Sequence, residues 1–103
     1  MIMGSIFSLQ AHNGALNCFV STFKHIISAG DDGYLLFIDL ESCHIVRRMD
    51  VLRLALLQGL AVRGDVIRRL KCLSLREDPE NGGTLAVGTS YGDVYIIAIG
   101  TCV

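Results

Sequence analysis

Short segments rich in apolar residues recur along most of this chain, and polar turn residues interrupt them at short intervals. That pattern predicts β-strands joined by tight turns. The clearest stretch is Ile26-Ile27-Ser28-Ala29-Gly30-Asp31-Asp32-Gly33-Tyr34-Leu35-Leu36-Phe37-Ile38-Asp39-Leu40, read as strand, Asp-Asp-Gly turn, strand. Gly33 supplies the positive φ such a turn requires. Strands are expected over 5–10, 15–20, 25–29, 34–40 and 44–49, with an Asn13-Gly14 turn between the first two. The near-continuous apolar run of 34–40 predicts burial on both faces.

The strand-and-turn pattern breaks at residues 50–64. Leu52, Leu56 and Leu60 recur at four-residue spacing, with Asp50 placed to cap the start of a helix and Gly64 its end. A short amphipathic helix and a strand with a long loop both fit, and Gly59 weakens the helix by about 1 kcal/mol relative to Ala. The strand pattern returns over 66–75. A loop is expected at 77–83, which holds the only proline, and two strands follow over 84–87 and 93–99.

The second hairpin is a weaker copy of the first. Setting Gly33 on Gly92 places Ala29 on Gly88, Leu35 on Val94 and Ile38 on Ile97, an offset of 59 residues. With the interruption at 50–64 taken as an insertion, the repeat shortens to roughly 44 residues, within the 40–45 range of one propeller blade. The stretch from Gln10 to Leu40 resembles a WD40 repeat. Ala11-His12 stands where that family has Gly-His, Ser28 at its second-strand serine, Asp32 at its hairpin aspartate, and Ile38-Asp39 at its Trp-Asp pair. The resemblance implies that His12, Ser28, Asp32 and Asp39 pin the blade through side-chain hydrogen bonds. Ile38 has no N–H to donate, so that line of bonds would end at Ser28. In the second unit the matching positions are Val87, Tyr91 and Ile97-Ala98, which carry no such polar set.

The expected architecture is therefore all-β. Residues 1–103 form one domain of about two WD40-like blades, 10–49 and 66–103, separated by an insertion over 50–64. Units of this kind bury their faces by stacking, and closed propellers usually need four to eight blades. Two blades imply a fragment of a longer protein, assembly with copies of itself, or completion of another protein's ring. Half of the residues (51%) are apolar, a large share for so small an interior.

Net charge is −1, which gives no overall pull toward nucleic acid or membrane. Its distribution is uneven: residues 47–76 carry eight basic side chains against two acids, and both flanks are acidic. Arg47, Arg48, Arg68, Arg69 and Lys71 are thus candidates to meet an anionic partner, a phosphoinositide headgroup or nucleic acid. Against that stands the ordinary role of charge on an outer strand, where it blocks edge pairing. The paired-arginine motif of phosphoinositide-binding relatives is incomplete at both Arg48-Met49 and Arg69-Leu70.

No catalytic constellation emerges. Ser28 lacks a Gly-x-Ser-x-Gly elbow, and Gly88–Gly92 lacks the lysine of a phosphate loop. Among the three histidines and four cysteines only Cys43 and His44 are close, and neighbours in a strand point to opposite faces, so no zinc site is expected, and no cofactor is called for. Cys18, Cys43, Cys72 and Cys102 lack a secretory signal pattern before them, which favours free thiols in a reducing, cytoplasmic setting. The function expected is a non-enzymatic protein-interaction or scaffold module. The alternatives are anionic-ligand binding through 47–71 and a β-domain of a larger multidomain protein.

Overall fold

The computed structural model describes residues 4, 6–59, 69–78, 80 and 82–100. The strand start expected at 66–68, Arg68 itself, the helix cap at Gly64, and Cys102 lie outside them. Seven strands and one short helix follow in the order β1 (Leu16–Ser21), β2 (His25–Gly30), β3 (Tyr34–Asp39), β4 (Ile45–Asp50), α1 (Val51–Leu57), β5 (Leu70–Asp78), β6 (Gly82–Thr89) and β7 (Val94–Ile99). Each strand pairs antiparallel with its sequence neighbour. Strands β1-β2-β3-β4 form one sheet and β5-β6-β7 a second.

Side chains alternate across each sheet, so each has an inner and an outer face. Ile27, Ala29, Leu35, Phe37 and Met49 line the inner face of the first sheet. They share one buried core with Leu85, Val87, Ile97 and Ile99 of the second. On β3, Leu35, Leu36 and Phe37 are all buried although Leu36 points away from its neighbours, so this strand is covered on both sides.

Helix α1 starts where β4 ends. The Asp50 carboxylate accepts the Arg53 N–H at 3.2 Å and caps the first turn. The helix is shorter than the leucine spacing predicts, and a different stripe is buried. Val51 and Ala55 face inward with Leu54 against the core, while Leu56 and Leu57 are exposed. It stops at Leu57 because Gly59 takes the left-handed conformation that ends helices (φ 75°).

Two other expectations need correcting. Residues 6–10 form no strand: they join the ladder of neither sheet. Most of the expected 77–83 loop is instead ladder. Glu77 pairs with Gly83 and Asp78 with Gly82, so the hairpin turns more tightly. Turn-forming composition is a weak signal beside a partner strand already in register.

The two sheets repeat each other in detail. The β2–β3 and β6–β7 registers coincide at the offset of 59. Both turns close with the same bond, Gly33 N–H to Gly30 O and Gly92 N–H to Thr89 O, each 3.2 Å, on glycines at φ 80° and 85°. A register shift falls between Leu16 and Cys18 in β1 and between Leu70 and Cys72 in β5, an offset of 54. The Asp31 N–H reaches Ala15 O at 2.9 Å, and its counterpart Ser90 N–H reaches Arg69 O at 3.0 Å. Strand β4 has no counterpart among the described residues of the second sheet.

The left-handed φ at Gly33 costs an L-residue roughly 1–2 kcal/mol. Gly33→Ala is expected to lower unfolding free energy by about that amount, read as a shift of the urea midpoint at unchanged slope.

Candidate functional site

Asp32 is the centre of the densest polar cluster in the described residues. It occupies the β2–β3 turn, and its carboxylate accepts the Tyr34 N–H at 3.2 Å and the Asn13 N–H at 3.1 Å. His12, in the segment before β1, lies against it with Nδ1 3.0 Å from Oδ1. A carboxylate only accepts, so Nδ1 carries the proton and donates. On the other side of the ring, Nε2 is 2.8 Å from Ser28 Oγ on β2. In the neutral ring Nε2 accepts, and the Ser28 hydroxyl donates to it. Thus Asp32 ties three places together: the entry to β1, the hairpin turn and the middle of β2.

Local sequence makes the approach feasible. A Cβ on Gly30 would stand 2.8 Å from the His12 ring and 2.9 Å from Ala15 O, so the imidazole rests directly on bare backbone. His12 and Ser28 are both buried. Partial burial of Asp32 acts to raise its pKa. The Tyr34 and Asn13 N–H groups and His12 outweigh it, and the carboxyl stays below its ordinary value.

Asp–His–Ser is also the bonding order of a hydrolase triad. Here the serine is only 1% exposed, in mid-strand, with the ring sealed against Gly30. A substrate carbonyl has no path to its Oγ, so the chemistry available to these groups is that of a structural tie.

Asp39 does not join this set. It sits at the far end of β3, roughly 20 Å along the strand from the Asp32 turn. Its carboxylate accepts the Ser42 N–H at 2.7 Å and lies 4.0 Å from His25 Nε2. The Ser42 bonds hold its pKa below the ordinary value, with His25 adding to the effect. Asp39 therefore fastens the β3–β4 turn.

The basic residues are likewise dispersed. Arg47 and Arg48 are adjacent in β4 and project to opposite faces, Arg47 5.7 Å over the Phe37 ring and Arg48 opposite Leu36. Lys71 is on β5 in the other sheet, and its ammonium is 3.2 Å from Asp31. Hydrogen bonds from Asn17 and then Lys71 keep Asp31 below its ordinary pKa, with Arg69 contributing by charge alone.

Asn17 was not singled out from the sequence, yet it links the two sheets. Its amide donates to Asp31 Oδ1 at 2.8 Å and across the interface to Leu70 O at 2.7 Å. An asparagine inside a strand, where it is a poor former, was the available signal.

A groove of about 400 Å³ opens at one rim, between the β1–β2 link and the β5–β6 hairpin. Thr22, Phe23, Lys24 and His25 line one wall, and Glu77, Asp78 and Gly83 the other. Thr22 Oγ1 accepts the Lys24 and His25 N–H groups and shapes the first wall. Phe23 stands in solvent at 94% exposure.

Cys18, Cys43 and Cys72 are free thiols. Among the described residues no three His, Cys, Asp or Glu side chains gather as a metal site would require, and no helix is long and apolar enough to cross a membrane. Comparison with family models, curated proteins and solved structures finds no match for this chain.

His12→Ala removes both ring bonds and strands Ser28, so a loss of about 2–3 kcal/mol in unfolding free energy is expected. Ser28→Ala should cost less, about 1 kcal/mol. Because the folded Asp32 pKa lies below its unfolded value of about 3.9, its stabilising contribution is full above that pH. It is lost as pH falls through the folded pKa. Asp32→Asn should therefore be less stable than wild type at pH 7, and the difference should shrink by pH 3 in parallel urea titrations.

Proposed function

We propose that this chain is a non-enzymatic protein-interaction or scaffold module, built as part of a WD40-like β-propeller and working in a reducing, cytoplasmic setting. The observation that carries this reading is the repetition of the two sheets, in register, turn and strand irregularity. A chain made of stacked copies of one hairpin unit devotes its interior to stacking and leaves rims and loops as its working surface. The Asp32–His12–Ser28 tie supports the same reading, since it occupies the positions at which the first repeat resembles that family.

The rim groove is the surface best suited to a partner. It combines an exposed aromatic side chain, Phe23, with the carboxylates of Glu77 and Asp78 on the facing hairpin. Aromatic anchors beside fixed charge are the usual makings of a binding hot spot. Binding of a phosphoinositide or nucleic acid through 47–71 has weaker support. Arg47 and Arg48 point to opposite faces of one sheet, and Lys71 on the other is already paired with Asp31.

The test is cross-linking mass spectrometry on the tagged chain in cell extract, beside Phe23→Ala and a Glu77→Ala variant. Partners held by the groove should cross-link to Lys24 and fall at least tenfold with Phe23→Ala, a loss of roughly 1.4 kcal/mol or more. Equal recovery by all three proteins would remove the groove as the contact surface.

A further inference from the structure

Asn13 and Gly14 stand in the bend that carries the chain from His12 into β1, and both are exposed. The main chain is fastened on either side of the peptide bond between them. Before it, the His12 ring contacts Asp32 and Ser28, and the Asn13 N–H donates to Asp32 Oδ2 at 3.1 Å. After it, Ala15 O accepts the Asp31 N–H at 2.9 Å. The Asn13 carboxamide itself has no hydrogen-bond partner among the described residues, and neither has the Gly14 N–H. Asn17 is the opposite case. Its Nδ2 donates to both Asp31 and Leu70 O, and Cys18 follows it inside β1.

A free carboxamide beside an unhindered peptide nitrogen can react with it. The Gly14 nitrogen gives up its proton and attacks Asn13 Cγ. The N–Cγ bond forms, the Cγ–Nδ2 bond breaks, and the amide nitrogen leaves with that proton as ammonia. Water then opens the cyclic imide. Opening at Cγ leaves an aspartyl residue. Opening at the Asn13 main-chain carbonyl carbon leaves an isoaspartyl linkage, in which the main chain runs through Cβ and Cγ and is longer by one methylene group. Glycine presents no side chain to this attack, whereas a Cβ on residue 14 would crowd it and would stand 3.3 Å from Asp31 Cβ.

We propose that Asn13 is a self-modification site, converting to aspartyl and isoaspartyl forms, and that the conversion releases the Asp32–His12–Ser28 tie. Either product brings a new carboxylate into the bend that already holds those of Asp31 and Asp32, where like charge is unfavourable. The isoaspartyl form also lengthens a segment held at His12, at the Asn13 N–H and at Ala15 O, so one of these contacts must give. The imidazole has little room to follow, because a Cβ on Gly30 would stand only 2.8 Å from it. Loss of the ammonia makes the change one-way. The inference rests on this bend, and on neither the propeller reading nor the rim groove.

The experiment is incubation of the full chain in warm, mildly alkaline buffer, beside Gly14→Ala and beside wild type held unfolded in urea. Site-resolved peptide mass spectrometry and enzymatic methylation of isoaspartyl carboxylates are the readouts. Asn13 should gain the mass of amide-to-acid conversion and its product should accept methyl groups, while Asn17 stays an amide. Gly14→Ala, with an unchanged circular dichroism spectrum, should convert about tenfold more slowly. Converted protein, separated by ion exchange, should unfold at lower urea than its parent, and the NMR signals of the His12 ring should move. Asn13→Asp supplies the charge without the added methylene, so its urea midpoint should fall between those of the parent and the isoaspartyl form. Retention of the Asn13 amide in the folded chain, under conditions that convert the unfolded chain, would overturn the proposal. So would equal conversion at Asn17, or converted protein whose urea midpoint and His12 signals match the parent.

Discussion

Ile27, Ala29, Leu35 and Phe37 meet Leu85, Val87, Ile97 and Ile99 between the sheets, and this contact is what makes the chain one unit. A three- or four-stranded sheet has no interior of its own. Apolar burial near 25 cal/mol per Å² is the main favourable contribution, and the two inner faces supply it only to each other. The core therefore requires both hairpin systems to be in register before either is stable. Asn17 adds a directional element: its amide bridges Asp31 and the Leu70 carbonyl, fixing how far β5 can slide past β1.

Around that contact, the polar groups close the places where the backbone changes direction. Asp32 gathers the N–H groups of Asn13 and Tyr34 together with His12. Asp39 and Thr22 do similar work at the opposite end of the same strands. Asp50 joins β4 to α1. Carboxylates are used repeatedly for this purpose because one group can accept several backbone donors at once. The paired acids of the Asp31-Asp32 turn separate in function accordingly, Asp32 turning inward to the tie and Asp31 reaching across to Lys71 and Asn17.

The arrangement treats the two repeats unequally. The first is held by the buried histidine tie. At the equivalent turn of the second, Thr89 Oγ1 accepts from the Tyr91 and Asp93 N–H groups at 3.3 Å. The turn geometry is the same, and these two side-chain bonds lie within the turn itself. An architecture of repeats permits this, because register and stacking are set by apolar positions while the polar fastening of each unit can vary.

Much of the fold was legible in the sequence. Apolar runs and the Asp-Gly turn mark β2 and β3 to within a residue, and Gly33 and Gly92 reveal the repeat, because these signals act over a few neighbouring residues. Asp50 as a helix cap is legible for the same reason. The failures share an opposite cause. Residues 6–10 are apolar like a strand, yet they pair with no strand of either sheet. The 77–78 and 82–83 stretches look like loop, yet an aligned partner draws them into the ladder. Leu56 looks like core, but packing against β4 turns Val51 and Ala55 inward instead. The basic stretch seems contiguous until the strands send Arg47 and Arg48 to opposite faces and place Lys71 in another sheet beside Asp31. The sequence by itself determined which segments extend and where they turn. Which of them pair, which face each side chain meets, and which charges find partners were decided only by tertiary structure, because those outcomes depend on groups that are distant along the chain.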